Sequence, residues 1–257
     1  MRAKLFRKLG RVTGWLSVTY LFAASFAVAL NYNVGALKED RKVNGKNLPT
    51  VTALRLTKKL DADGFPQQSA WEVALPIRFD QDWQGQNADR SRTTEVRLLW
   101  TLETLFLRFQ ANYRDLNVYP EAREDGWRDK LWDRDVAEAF LQPDSRDPLK
   151  YKEFEVAPNG FWIDLDVSHG AIQELHSELR RRVVQNPTEK TWTAELAIPM
   201  HSLTFAFDPH HPWHVNFYRI EGKTEPRFYS AWSPTYSPRP NFHVPAAFGN
   251  LTFQDAQ

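Results

Sequence analysis

The sequence of 257 residues predicts an all-β body, a single β-sandwich of about ten strands, carried behind an N-terminal export segment. Short runs of alternating apolar and polar residues follow one another with turn-rich connections, which leaves little room for long helices. Between two of these runs lies Ala157-Pro158-Asn159-Gly160, where Asn-Gly supplies the positive φ angles that a tight hairpin demands. Aromatic residues make up 14% of the chain, more than a sandwich core requires, so some rings are expected on display.

Arg2, Lys4, Arg7, Lys8 and Arg11 precede an uncharged run over 12–30 in which Ala27 and Ala29 form an A-x-A cleavage pattern. Residues 1–30 therefore read as a signal peptide or an uncleaved membrane anchor, with Gly14, Thr13, Ser17, Thr19 and Ser25 favouring cleavage. In either case the basic flank stays inside, and the remainder is exported to the periplasm, the extracellular space or the envelope. Any membrane contact runs through this segment alone. Residues 31–47 read as a polar linker and 48–257 as the sandwich.

Without those five basic residues the balance is 28 basic against 32 acidic side chains, a net charge of −4. A mildly acidic body with no long basic stripe argues against nucleic acid as the partner. The cluster Arg180, Arg181 and Arg182 lies in an alternating stretch, so it decorates both faces of a strand. The absence of cysteine excludes disulfides, thiolate metal sites and a cysteine nucleophile. A monomer is expected.

Strands are predicted over 51–56, 71–75, 95–100, 105–111, 131–141, 151–156, 161–166, 178–184, 191–198, 214–220 and 248–253, with short helical turns over 170–178 and 200–203. The long connections 81–93, 114–131 and 221–248 are of the length that usually serves function.

In the 131–141 segment the strand period puts Trp132, Arg134, Val136, Glu138 and Phe140 on one side, so Glu138 stands level with residues that want burial. Such a carboxylate must meet a cation, a cluster of donors or a ligand in a cleft, and a structural salt bridge to an arginine answers equally well. Trp132 and Trp232 are flanked by polar or proline-rich sequence, as rings exposed at loops would be. Aromatic faces beside carboxylates and amides suit a sugar, which offers axial C–H groups and a rim of hydroxyls; the plainer alternative is that the rings cap the sandwich.

Asn216 and Arg219 fall on opposite faces of their strand, and Arg219 is a candidate partner for Glu138 or Asp135. His210, His211 and His214 lack the helix and glutamate of a zinc hydrolase, so a solvated loop is expected there. Asp135 with Glu138, or Asp164 with Asp166, could supply acid and base, but the first pair points to opposite faces. No serine triad, dinucleotide-binding glycine run or phosphate loop is present.

Taken in order, the segment from Trp132 through Asp135 and Glu138 to Phe140, the run from Tyr151 to Val156 with Pro158, Trp192-Thr-Ala-Glu195 to Pro199, Trp213 to Arg219, and Trp232-Ser-Pro with Phe242-His243 and Phe248-Gly249 resemble the family 9 carbohydrate-binding modules and their DOMON-like relatives. The resemblance spans roughly 63–253. It implies a jelly-roll type of sandwich that binds a mono-, oligo- or polysaccharide without catalysis, the sugar lying between two tryptophans. Trp132 corresponds to the first platform, Glu138 to a carboxylate at the sugar and Trp232 to the second platform, with Asp135, Asn216 and Arg219 as further ligands. Structural calcium is also implied, without ligands that can be placed. The family's sugar-gripping arginine has no counterpart, since the strand reads Tyr151, Lys152, Glu153, Phe154, Glu155. Two alternatives remain: a haem-binding electron-transfer domain of the same superfamily, for which Met200 and a histidine would be the axial ligands, and an architectural envelope domain with no ligand.

Overall fold

A computed structural model describes residues 41–255; the export segment and the first ten residues of the expected linker lie outside the described residues. Asn44 and Gly45, with φ of 48° and 74°, turn a small hairpin between β1 (Lys42–Val43) and β2 (Lys46–Asn47). Just before it, Arg41 donates through Nη1 to the Phe248 carbonyl.

The body is all-β. Its strands are β3 (Thr50–Arg55), β4 (Ile77–Phe79), β5 (Thr94–Trp100), β6 (Thr104–Asn112), β7 (Val136–Gln142), β8 (Lys150–Val156), β9 (Trp162–Ser168), β10 (Ala171–Glu174), β11 (Arg180–Asn186), β12 (Thr191–Pro199), β13 (Trp213–Glu221), β14 (Phe228–Ala231) and β15 (Gly249–Gln254). They pair in the order β10-β9-β8-β7-β13-β15-β3-β5-β6-β12-β11, with β14 on β13 and β4 on β5. β3 runs parallel to β15 and to β5; the other pairings are antiparallel among the described residues.

The sheet curls so that its two halves share one core. Ala137, Ala139 and Leu141 of β7, Phe154 of β8 and Phe217 of β13 meet Leu98 of β5, Phe109 of β6 and Leu196 of β12, with the Phe109 and Phe217 rings 6.1 Å apart. Each Leu and Phe among them contributes about 1.5–3 kcal/mol through burial, which makes this layer the main source of stability. Strand alternation then fixes the outer faces. On one, Trp71, Leu99 and Phe106 form a small satellite cluster; on the other, Val136, Phe140, Tyr151, Leu165, Tyr218 and Phe248 form a larger one.

The expected sandwich is present, with three local differences. Residues 71–75, expected as a strand, follow the helical turn α1 (Gln68–Trp71), because the buried positions Ala70, Trp71 and Ala74 have helical spacing while Val73 and Leu75 face water. Within 170–178 the chain forms the edge strand β10 over Ala171–Glu174 and then an irregular stretch, with no helical turn: His169 and Gly170, at φ 51° and 83°, make the mirror-image turn that matches strand twist. The 131–141 segment breaks in two, with a 3₁₀ turn at Leu131–Asp133 preceding β7, so Trp132 stands on a turn and not on the strand. The helical turn near 200 is α2 (Met200–Leu203).

Candidate functional site

The outer face of β7, β8 and β13 carries the chemistry. β7 sends Ala137, Ala139 and Leu141 into the core, so Val136, Glu138 and Phe140 must face outward. β8 does the same with Phe154 and Val156 inward, which turns Tyr151, Glu153 and Glu155 out. Register then sets Glu138 directly opposite Glu155 on one side and Tyr218 of β13 on the other, while Glu153 lies across from Phe140.

The long connection between β14 and β15 folds over this face. Phe242 stacks on Tyr218 with centroids 4.1 Å apart, Tyr218 donates its hydroxyl to the Phe242 carbonyl at 3.0 Å, and the Tyr151 hydroxyl meets His243 Nδ1 at 2.8 Å. Between sheet and loop a cavity of about 260 Å³ stays open to solvent, lined by Trp132, Tyr229, Asn241, Phe242 and His243 with Glu138, Glu153 and Glu155 on the sheet side. Trp132 is half-buried there, and Arg227 anchors its turn by donating to the Trp132 and Arg134 carbonyls at 3.0 and 2.6 Å.

The three glutamates are only 2%, 3% and 0% exposed, and one carboxylate oxygen from each lies within 4.8 Å of the other two. Burial pushes the Glu138 carboxyl well above its ordinary range, the neighbouring Glu153 adds to the shift and Arg227 opposes it. Glu155 is raised by burial and then by Glu138 and Glu153. Glu153 is raised by burial too, with the adjoining Glu155 and the nearby His243 working the other way. Both oxygens of Glu155, Oε1 of Glu138 and Oε2 of Glu153 accept nothing from any N–H or hydroxyl.

Of the six residues expected at a sugar, Trp132 and Glu138 come together in this cavity. The other four do not line it, and each has a physical reason. Asp135 lies on the core side, accepting from the Gly222 and Asn117 amides at 2.8 and 3.1 Å. Burial raises its carboxyl and Arg219 counteracts that. Arg219 is enclosed between the two halves of the curled sheet, 5.2 Å over the Trp192 ring, its guanidinium nitrogens without a hydrogen-bond partner and its charge met at longer range by Asp135 and Glu221; burial lowers its pKa and the two carboxylates restore part of it. Asn216 does face outward, but its side chain is spent on Tyr218 Oη, the Ser233 backbone and the Phe217 amide. Trp232 packs on Phe217, at 5.7 Å, and so close to Gly249 that a Cβ there would stand 2.7 Å from its ring. Half-buried like Trp132, it packs against the inner core layer and does not line the cavity.

The histidine loop is what its sequence suggests: His211 pairs with Asp208 at 2.6 Å, and His214 bonds Gln142 across the strands. Met200 is buried in the core with no histidine cluster beside it among the described residues. The arginine cluster braces the fold, Arg180 and Arg181 donating to backbone carbonyls and Arg182 bridging Asp61 and Glu195. Sequence reasoning missed Glu153 and Glu155 as site residues. The strand period carried the signal, since Tyr151, Glu153 and Glu155 share a face in phase with Glu138. It also missed Tyr229 and the role of Phe242 and His243, which depend on how a long loop folds back.

Residues 82–253, more than half of the chain, match the profile of carbohydrate-binding family 9. The chain belongs to carbohydrate-binding family 9. Carbohydrate binding is thereby the function of its folded body. Among curated proteins, an extracellular protein of Arthroderma benhamiae is 25% identical over 178 residues, covering 62% of this chain and 78% of that one. Among solved structures, a candidate carbohydrate-binding protein of Bacteroides uniformis superposes with a TM-score of 0.61 at 18% identity, covering 79% of this chain and 98% of that one. Family 9 modules of Caldicellulosiruptor kristjanssonii solved with glucose and with cellotriose give TM-scores of 0.56 and 0.54 at 12% identity, each over 81% of this chain and over 97% and 95% of theirs. At these identities the likeness to the solved structures is one of fold. All-oxygen donors at the three glutamates fit a hard cation such as calcium better than zinc or haem iron.

Proposed function

We propose that the body binds a saccharide non-covalently in the cavity over β7 and β8, Trp132 giving the stacking face and Glu138, Glu153 and Glu155 the polar floor. The observation that carries this reading is the coincidence, in one open cavity of a family 9 chain, of a half-buried indole and unsatisfied carboxylates. A pyranose has an apolar face for the ring and hydroxyls that donate to carboxylates, so it answers both. The solved relatives with glucose and cellotriose support a glucose-type ligand as the first probe. Tyr229 and Phe242 take the part of the opposing aromatic wall that Trp232 was expected to play.

The module acts without catalysis. Its three carboxylates rise side by side from adjacent strands, whereas a glycosidase sets acid and base on either side of the scissile bond. Export is part of the proposal: the basic flank, the apolar run and the A-x-A pattern support it, as does the extracellular relative. So is kinship with the DOMON-like superfamily. A monomer would suffice, because one chain supplies the whole cavity.

Isothermal titration of the purified full-length chain with glucose and cellotriose, beside Trp132→Ala, tests the reading. Saturable binding that falls about tenfold or more in the variant is expected, equivalent to about 1.4 kcal/mol. Unchanged affinity in Trp132→Ala would remove the cavity from saccharide recognition.

A further inference from the structure

Two like charges directly opposite on neighbouring strands are destabilising, and Glu138 faces Glu155 in that relation with Glu153 beside them. Among the described residues no side chain forms an ion pair with any of the three. The cation whose field reaches Glu138 is Arg227, and its guanidinium is spent on the Gly222, Trp132 and Arg134 carbonyls at 3.2, 3.0 and 2.6 Å. A cluster of acids alone means little, but here a second observation points outward: Glu155, fully buried, aims two unpartnered oxygens at a cavity that it lines. An unpaired buried carboxylate costs several kcal/mol, so the arrangement is built for something that enters.

We infer that Glu138, Glu153 and Glu155 form a binding site for one calcium-type divalent cation on the floor of the cavity. The donors are three carboxylate oxygens with no sulfur or imidazole among them, which selects hard cations. Calcium takes oxygens at about 2.3–2.6 Å, so two of its ligands stand at most about 5 Å apart, and the spacing of up to 4.8 Å satisfies that limit. Magnesium, at about 2.0–2.1 Å and with strict octahedral geometry, fits a set this wide less well. Three protein ligands leave about three to five places in a calcium shell, and these point into the cavity. The site differs from a calcium that braces a loop, because it stands where a ligand would lie. Vicinal hydroxyls of a sugar could occupy the open places; this last step rests on the saccharide reading above, while the cation site itself does not.

The test uses the full-length chain stripped with a chelator, in the absence of saccharide. Calcium titrated by calorimetry should bind saturably at one ion per chain, and terbium should luminesce through the tryptophans, since Trp132 lines the same cavity. Glu155→Gln and Glu153→Gln should each weaken binding about tenfold or more while the melting curve stays cooperative. Asp255→Asn, which removes an exposed partner of Arg55, should leave the affinity unchanged. The inference is overturned if neither ion binds, or if binding persists unchanged in both glutamine variants. It is overturned too if glucosamine binds in the presence of chelator and is lost in Glu155→Gln, for then the floor holds an ammonium. Cellotriose titrated with calcium and with chelator separates the two readings: sugar binding that ignores calcium contradicts only the coordination step, and calcium binding without sugar binding contradicts only the saccharide reading.

Discussion

Two clusters of buried charge lie on opposite faces of the same strands, and they are built on opposite principles. On the core side Arg219 and Arg92 sit with Asp135 and Glu221, two cations with two anions, and backbone amides of Gly222, Asn117 and Arg114 take up carboxylate lone pairs. On the outer side Glu138, Glu153 and Glu155 stand together with no cation paired to them among the described residues, facing a cavity. Burial of the carboxylates is equally deep in both. What separates the two is therefore the balance of charge and not hydrogen bonding, since the Arg219 guanidinium nitrogens are themselves unpartnered: the first sets cations among its anions, and the second holds anions alone before an open cavity.

Breaking the balanced cluster should have the largest effect. Arg219→Met removes the buried cation between Asp135 and Glu221, leaving Asp135 with backbone amides alone and Glu221 with Arg92, and is expected to lower unfolding free energy by about 3 kcal/mol in urea titration. An unchanged midpoint would mean that Asp135 and Glu221 need no buried cation between them, and the contrast would fail. The two tryptophans sharpen the same comparison. Trp232→Ala empties space beside Phe217 and should cost about 2–3 kcal/mol of stability while cellotriose affinity is retained. Trp132→Ala should do the reverse, with affinity lost and the melting temperature little moved. Equal effects of both on affinity would return Trp232 to the ligand.

The unbalanced cluster predicts a change of opposite sign. In chelator and without sugar, at alkaline pH where the raised carboxyls ionise, Glu155→Gln removes a like charge facing Glu138 and should raise stability by about 1 kcal/mol, read by the denaturation midpoint. A loss would show that the three carboxylates are already balanced. The smallest effect concerns His214, outside both clusters. Burial, with Arg41 adding to it, lowers its pKa to about 4, so the unfolded chain binds the proton more readily between about pH 6.5 and 4. Stability should therefore fall as pH drops through that window, by about 1 kcal/mol once partial exposure and screening are allowed for. His214→Gln should flatten this part of the profile.

Much of the architecture was legible because strand alternation is a local signal. Asn159-Gly160 marked its hairpin, and the parity that set Asn216 against Arg219 holds in the structure. Glu138 was legible as a problem: a charge on an apolar face. Its solution was not, because the answer came from β8, where Glu153 and Glu155 were noted for the arginine they replace and not for the face they share. Trp232 misled for a related reason. A proline-rich neighbourhood suggests an exposed ring, but Gly249, the residue type that leaves room for it, allows the indole to sink onto β15, and that depends on a contact across 17 residues of chain. The wall formed by Tyr229, Phe242 and His243 depends on a loop closure that no periodicity encodes.

A crystal structure of the chain with cellotriose and calcium tests the central claim most directly. The account predicts a glucose ring in the cavity against Trp132, above the carboxylates of Glu138, Glu153 and Glu155. Sugar bound beside Trp232 or on the face of Trp71, with that cavity filled by water alone, would contradict it.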